Sequence, residues 1–241
     1  MLDWEHLPWL HRGSFSSIEC LETGAWGWRA RVALPSHEGR REVGVELQIE
    51  RAEQRYVARA LSGEGAGTEI WTYLDPRGSR THVRVEFHVP EAAALRPGLY
   101  EAHEKQYTRL WDEDEAMMLR RSAELSRPEK TAASAPEPNV DLGSLSELVR
   151  KLPLCVDYAG RRFRIVEVNG ELLAHATVCP HRLGPLEASI VENGQVRCPW
   201  HGYRFDVRSG ACADHDLLEL PRPPRVEIDP ESSEVRLREP R

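Results

Sequence analysis

The chain has 241 residues, of which 29% are charged, and its formal net charge is −7 at pH 7. Nucleic acids and anionic membranes bind basic patches, so an acidic chain is a poor partner for either. No apolar run approaches the about 20 residues that span a bilayer, and the N-terminus lacks a signal-peptide pattern, so a cytoplasmic protein is expected. The five cysteines, an odd number, argue against a disulfide framework.

The N-terminal part begins with a predicted short helical region, Asp3 to Phe15. Segments with alternating apolar residues follow, which is typical of strands that bury one face. They predict about five antiparallel strands, around 26–34, 43–49, 56–61, 69–74 and 83–89. From about Leu99 to Leu125 the apolar period changes to 3.6, which predicts one long helix. A curved antiparallel sheet followed by a helix is an α+β arrangement.

A stretch rich in proline and alanine, 126–141, is predicted to be a linker because it has too little apolar surface to fold. It separates a predicted N-terminal domain, 1–125, from a predicted C-terminal domain, 142–241. The C-terminal part contains short strand-like runs and two Asn-Gly pairs, at 169–170 and 193–194. Asn-Gly between apolar runs indicates a hairpin, so this domain is expected to be all-β.

The C-terminal part contains two short segments that each pair a cysteine with a histidine. Cys179 and His181 are followed, after sixteen intervening residues, by Cys198 and His201. Two thiolates on one iron and two imidazoles on the other would complete a [2Fe–2S] cluster with mixed ligands. A zinc site is the alternative, but zinc sites of this composition usually pair Cys with Cys and His with His.

The residues around these ligands resemble the two cluster-binding loops of Rieske proteins, at 179–186 and 198–206. The resemblance covers roughly 148–237 and implies a [2Fe–2S] cofactor. Respiratory Rieske proteins carry an additional cysteine in each loop, whereas the corresponding positions here are Gly184 and Trp200. The resemblance therefore implies the ferredoxin and oxygenase branch, with a potential low in the Rieske range of about −150 to +300 mV.

A second candidate metal site lies at the N-terminus, where Asp3 precedes His6 and His11. Two histidines and one carboxylate form the facial triad of non-haem Fe(II) oxygenases. The third ligand is expected among the acidic residues 112–115 of the long helix. At about 100° per residue Asp114 falls on the apolar stripe facing the sheet, whereas Glu113 falls on its flank. A carboxylate there is costly unless it is paired or bound to metal, so Asp114 is the predicted ligand.

Simpler roles exist for each of these residues. Asp3 could cap a helix, and the two histidines could be ordinary residues of a helix face. Asp114 could pair with an arginine of the sheet. The candidates for that pairing are Arg29, Arg31 and Arg84.

With these residues the resemblance widens to Rieske non-haem iron oxygenases, here with the domain order reversed. It implies a START-like helix-grip fold for 1–125 and a mononuclear Fe(II) held by His6, His11 and Asp114. Asp3 would be the acid that links the two metal centres. In that family a Rieske histidine lies near the iron of the neighbouring subunit in a trimer, so a homo-oligomer is implied.

The implied function is dioxygen-dependent hydroxylation or demethylation of a small organic, aromatic-type substrate. Electrons would come from an NAD(P)H-dependent reductase or a ferredoxin. One alternative is a Rieske ferredoxin-like electron carrier fused to a START-like ligand-binding domain, and another is an N-terminal domain that serves assembly alone. Seven residues are considered for the substrate cavity, although plain packing is the favoured role for each: Trp26, Trp28, Trp71, Tyr73, His88, His103 and Tyr107.

Overall fold

A computed structural model describes residues 3–36, 41–94, 96–127 and 139–240. The chain divides into two compact units, Met1–Asp114 and Glu115–Arg241. The predicted linker falls largely on 128–138, which lie outside the described residues. No helix in the described part of the chain is both long and apolar enough to cross a membrane.

The first unit contains a six-stranded antiparallel sheet in which each strand pairs with the next along the chain. The strand at one edge, Ser17–Gly24, was not predicted. It is exposed at five of its eight positions, so it lacks the apolar alternation that marks a half-buried strand. The strands are β1 (Ser17–Gly24), β2 (Gly27–Leu34), β3 (Arg41–Glu50), β4 (Arg55–Ser62), β5 (Glu69–Arg77) and β6 (Arg80–His88).

Among the described residues of the first unit, three α-helices begin: α1 (Leu7–Leu10), α2 (Glu91–Ala94) and α3 (Leu99–Leu125). A 3-10 turn spans Arg51–Glu53. The bounds of α3 are those predicted. The prediction of a helical region over 3–15 was wrong in extent, since α1 is a single turn with a proline in its first turn.

One face of the sheet forms the core of the first unit. Trp28, Ala30, Val32 and Val43 are buried there, and the N-terminal segment packs against them through Trp4, Leu7 and Phe15. Phe87 lies on the same face, because the register runs from Trp28 through Leu47, Ala58 and Ile70 to Phe87. The Phe87 ring contacts Tyr107 of α3 with a centroid distance of 5.4 Å. Helix α3 therefore packs on this inner face.

Three of the residues considered for the cavity lie on the opposite, outer face. Trp71 and Tyr73 alternate in β5 with the fully buried Thr72, so their side chains point away from the core. The Arg55 guanidinium lies 4.0 Å from the centroid of the Trp71 ring. His88 lies on the same outer face, with its ring centroid 4.5 Å from that of Trp71 and the two rings tilted by 46°. These three side chains therefore pack on the outer surface of the sheet, which is the role favoured for them from the sequence, and they do not line a cavity on the inner face.

The second unit contains three small antiparallel sheets, each with three strands. The predicted Asn-Gly hairpins are confirmed: Asn169–Gly170 and Asn193–Gly194 have positive φ and join strands that pair with each other. The sheets contain β7 (Val140–Ser144), β8 (Leu154–Tyr158), β9 (Arg161–Val168), β10 (Glu171–Ala176), β11 (Val191–Glu192), β12 (Gln195–Arg197), β13 (Arg204–Asp206), β14 (Arg225–Ile228) and β15 (Glu234–Arg238), and helix α4 spans Leu145–Lys151.

Candidate metal centres

The two Cys-His segments form loops with the same backbone hydrogen bonds. In the first, the Cys179 N–H donates to the Gly184 carbonyl at 2.8 Å and the Leu183 N–H donates to the Cys179 carbonyl at 3.0 Å. In the second, the Cys198 N–H donates to the Tyr203 carbonyl at 2.8 Å and the Gly202 N–H donates to the Cys198 carbonyl at 2.9 Å. Each loop therefore returns on itself within five residues and presents its cysteine and histidine together.

The two thiols, which are 0% and 1% exposed, lie in hydrogen-bonding contact with each other. The hydrogen bond from Cys179, helped by backbone N–H groups of Trp200 and His201, lowers the pKa of Cys198 to about 7. The same hydrogen bond and burial raise the pKa of Cys179. The two thiols therefore titrate as a pair, and the hydrogen bond between them favours ionisation of Cys198.

The two imidazoles meet beside these thiols. The rings of His181 and His201 are 4.6 Å apart in an edge-to-face arrangement, and the Nδ1 atoms of both are buried. The Tyr203 ring covers His181 at a centroid distance of 4.7 Å. The structure thus brings all four predicted ligands together, and a set of two sulfurs and two nitrogens fits a [2Fe–2S] cluster of the Rieske type.

Gly184 has no side chain, and the Cys198 sulfur lies in the space that a side chain at this position would fill. A Cβ atom built at residue 184 would lie 2.7 Å from the Cys198 Sγ and 3.2 Å from the Trp200 ring. The sulfur contact is too short for any side chain larger than hydrogen. The glycine at this position therefore supports the packing of the two loops against each other.

We expect the substitution Gly184→Ala to displace the Cys198 sulfur, because overpacking of this kind costs about 1–3 kcal/mol. The purified variant should contain less iron per chain than the unaltered protein and should have weaker visible absorbance. Ala188→Ser, on an exposed position of the same loop region, is the matched control and should contain the normal amount. Equal iron content and equal visible circular dichroism in Gly184→Ala would contradict the packing argument.

The second constellation lies in the first unit. One atom from each of His6, His11 and Asp114 lies within 4.8 Å of the other two. The Nε2 atoms of His6 and His11 are 3.5 and 3.4 Å from the same oxygen of Asp114. Burial lowers the pKa of His11, but hydrogen bonds to Asp114 and Glu113 outweigh it, so the net shift is upward. The structure therefore brings the three predicted ligands together from opposite ends of the first unit's sequence.

The N-terminal segment and α3 hold these residues in place. His6 is the N-cap residue of α1 and His11 follows its last turn, so both imidazoles lie at the ends of one short helix. Arg109 of α3 donates to the Ser14 hydroxyl at 2.6 Å, just after His11. This contact fixes α3 against the segment, and Asp114 lies a little more than one turn further along the helix.

The simpler roles considered for Asp3 and Asp114 do not fit this arrangement. Asp3 is not the N-cap of α1, a position that His6 occupies, and its Oδ1 lies 3.7 Å from the His6 Nδ1. The arginines considered as partners of Asp114 pair elsewhere: Arg29 with Glu22 and Glu46, Arg31 with Glu19, and Arg84 with Glu86.

Two features near Asp114 were not anticipated. Glu113, assigned to the flank of the helix, contacts His11 at 2.5 Å. Tyr56 and Tyr107 lie close enough to Asp114 for its charge to raise the pKa of both phenols, in addition to the larger effect of burial.

The predicted apolar stripe of α3 ends before Met118, which is 52% exposed.

Residues 139–223 match the family described as the Rieske [2Fe-2S] domain. The ferredoxin component of the naphthalene 1,2-dioxygenase system from Pseudomonas aeruginosa is 31% identical over 71 residues, which are 30% of this chain and 68% of that protein. The chain belongs to the Rieske [2Fe–2S] domain family. Membership implies a [2Fe–2S] cluster in the second unit.

Other relatives of the Rieske domain are larger proteins. Apoptosis-inducing factor 3 from Homo sapiens is 38% identical over 72 residues, which are 30% of this chain and 12% of that protein. The oxygenase component of dicamba O-demethylase from Stenotrophomonas maltophilia is 35% identical over 60 residues, which are 25% of this chain and 17% of the relative. This chain thus spans a small part of the length of either. The family match begins at residue 139, so the site at His6, His11 and Asp114 stands on its geometry.

Proposed function

We propose that the protein is a Rieske-type oxygenase that uses dioxygen to hydroxylate or demethylate a small organic substrate. The observation that carries the proposal is the convergence of His6, His11 and Asp114 in a chain that also contains a Rieske domain. Two imidazoles and one carboxylate, with room for further ligands, are the donor set of non-haem iron oxygenases. This residue set supports the proposal of a redox enzyme with two metal centres.

The distances in the first unit fit a single metal ion. Donor atoms at about 2.0–2.2 Å from one metal lie roughly 3 to 3.5 Å from each other. The two imidazole Nε2 atoms are 3.5 and 3.4 Å from the shared Asp114 oxygen. His11 is 2% exposed and His6 12% exposed, so both nitrogens are shielded from bulk water. Little movement is needed for these side chains to bind a metal.

Two separate sets of residues would bind the two metal centres. Cys179, Cys198, His181 and His201 would hold the cluster, and His6, His11 and Asp114 would hold the mononuclear Fe(II). When bound, the cluster supplies single electrons and the iron supplies dioxygen activation. Asp3, whose carboxylate lies 3.7 Å from the Nδ1 of His6, is the proposed link towards the cluster.

The substrate would lie between the inner face of the sheet and α3. Phe87 contacts both His103 and Tyr107 there, with ring centroids 5.2 and 5.4 Å apart, which favours an aromatic or otherwise apolar molecule. Burial raises the pKa of Tyr107, and its hydroxyl hydrogen-bonds with Thr72 and Tyr56 on the same inner face.

The remaining parts of the proposal follow the same family resemblance. The domains would be a START-like helix-grip domain at 1–125 and a Rieske domain at 142–241. An NAD(P)H-dependent reductase or a ferredoxin would donate electrons, in the cytoplasm. The protein would act as a homo-oligomer, with a trimer as the proposed form.

The second candidate is an electron carrier with a START-like ligand-binding domain and no catalysis of its own. It is favoured by one observation: the relative covered over 68% of its length is a ferredoxin component. The two candidates differ in whether the first unit binds iron.

Metal analysis of the full chain, purified without oxygen, separates them. We expect about three irons and two acid-labile sulfides per chain for the oxygenase, since the cluster accounts for two irons and two sulfides. A ratio of two to two, unchanged after addition of ferrous iron, would exclude the mononuclear site and leave the carrier. Zinc without sulfide would exclude both candidates.

A further inference from the structure

The two histidines of the proposed mononuclear site have carboxylates next to both ring nitrogens. The Nε2 atoms of His6 and His11 face Asp114, while their Nδ1 atoms face Asp3 and Glu113 respectively. The carboxylates differ in distance: Asp3 lies 3.7 Å from the His6 Nδ1 and Glu113 lies 2.5 Å from the His11 Nδ1. The contact made by Glu113 is a short hydrogen bond.

This hydrogen bond decides which nitrogen of His11 can bind a metal. A neutral imidazole has one N–H and one nitrogen with a free lone pair, and an ionised carboxylate only accepts hydrogen bonds. With the proton on Nδ1 and donated to Glu113, the lone pair of His11 is on Nε2, which faces Asp114. The opposite tautomer would place an N–H against Asp114 and leave no lone pair for the metal.

The helix supplies both carboxylates from consecutive positions. Glu113 and Asp114 are separated by about 100° around α3, so they can approach the two nitrogens of one ring from different sides. His11 is 2% exposed, whereas Glu113 is 31% exposed, so the imidazole is held in a protein environment and the carboxylate keeps contact with water. Arg109, one turn earlier, holds the helix to Ser14.

We propose that Glu113 is a positioning residue that fixes the tautomer and ring orientation of His11 and so organises the metal site. It does not touch the metal itself. Carboxylates that accept a hydrogen bond from a metal-binding histidine commonly affect metal affinity by about 10–100-fold. The inference rests on the proposed function, because it requires His6, His11 and Asp114 to bind a metal.

The test is a Co(II) titration of the full chain that carries its oxidised cluster. We expect Glu113→Ala to weaken Co(II) binding by about 10–100-fold and to change the electron paramagnetic resonance spectrum of the bound Co(II). Glu113→Gln should bind Co(II) with an affinity between those of Glu113→Ala and the unaltered chain, because its amide oxygen still accepts a hydrogen bond from Nδ1 but carries no full charge. The matched control is Glu115→Gln, an exposed acid of the same helix, which should bind Co(II) as the unaltered chain does.

The possible results separate a failure of the proposed role of Glu113 from a failure of the proposed function. If the unaltered chain binds Co(II) only when His6, His11 and Asp114 are intact, and Glu113→Ala binds it equally tightly with the same spectrum, the role of Glu113 is overturned and the metal site stands. If the unaltered chain binds no Co(II) at this site, the proposed function itself fails. Should Glu113→Ala not fold, as judged by circular dichroism, Glu113→Gln decides, and affinity equal to that of the unaltered chain overturns the role.

Discussion

Replacing Cys198 by serine is expected to abolish the [2Fe–2S] cluster while leaving the rest of the chain folded. A serine hydroxyl is close in size to the thiol but ionises far less readily, so it does not replace a thiolate ligand. Cys198 is 1% exposed and in contact with Cys179, so no other side chain of its loop can take its place without moving the backbone. Iron and sulfide at this centre should fall from about two each to near zero.

The measurements are acid-labile sulfide and the paramagnetic signal after reduction with dithionite. Cys212→Ser is the control, because Cys212 is a partly buried cysteine of the same unit that is not a predicted ligand. That variant should keep both the sulfide and the signal. A Cys198→Ser chain with normal sulfide content would remove Cys198 from the ligand set.

Replacing Asp114 by alanine is expected to remove the mononuclear iron and the substrate-dependent uptake of oxygen, with the cluster intact. Asp114 is the residue that both imidazoles face, at 3.5 and 3.4 Å, so its loss removes the shared carboxylate and leaves two histidines. We expect oxygen uptake to fall by at least about 100-fold, because the open metal site depends on all three ligands.

Iron per chain, at constant sulfide, is the measurement that does not require the substrate to be known. It should fall from about three to about two. Asp112→Ala is the control, since Asp112 is exposed on the same helix and should leave iron content unchanged. If Asp114→Ala retained the third iron, the assignment of Asp114 as a ligand would be wrong. The electron-carrier alternative would still gain no support, because the chain would bind a mononuclear iron.

Helical periodicity selected Asp114 among four consecutive acids as the residue of the inner stripe. The structure places its carboxylate beside His6 and His11, but Asp114 is 37% exposed and Glu113 is 31% exposed, so burial alone does not distinguish the two acids. The same periodicity failed for Met118, which is 52% exposed. Met118 belongs to the part of α3 that lies beyond the first unit, which ends at Asp114. A pattern along a helix predicts its inner face only over the length that is packed.

Alternation along the strands identified five of the six strands but did not decide which face is buried. Trp71 and Tyr73 were therefore considered for the cavity, although they lie on the outer face beside Arg55 and Arg84. Large aromatic side chains suggest burial, but a stacked guanidinium covers them equally well at a surface. Face assignment needs the register between strands, which residue order alone does not provide.

The two Cys-His loops could be predicted from local spacing, because each loop closes within five residues. The contact between Glu113 and His11 could not, since the two residues are 102 positions apart and meet through tertiary packing. That contact depends on how α3 lies against the N-terminal segment, and this follows from packing of the whole unit rather than from any local pattern. The loops could be read from neighbouring residues, whereas the environment of the histidines could not.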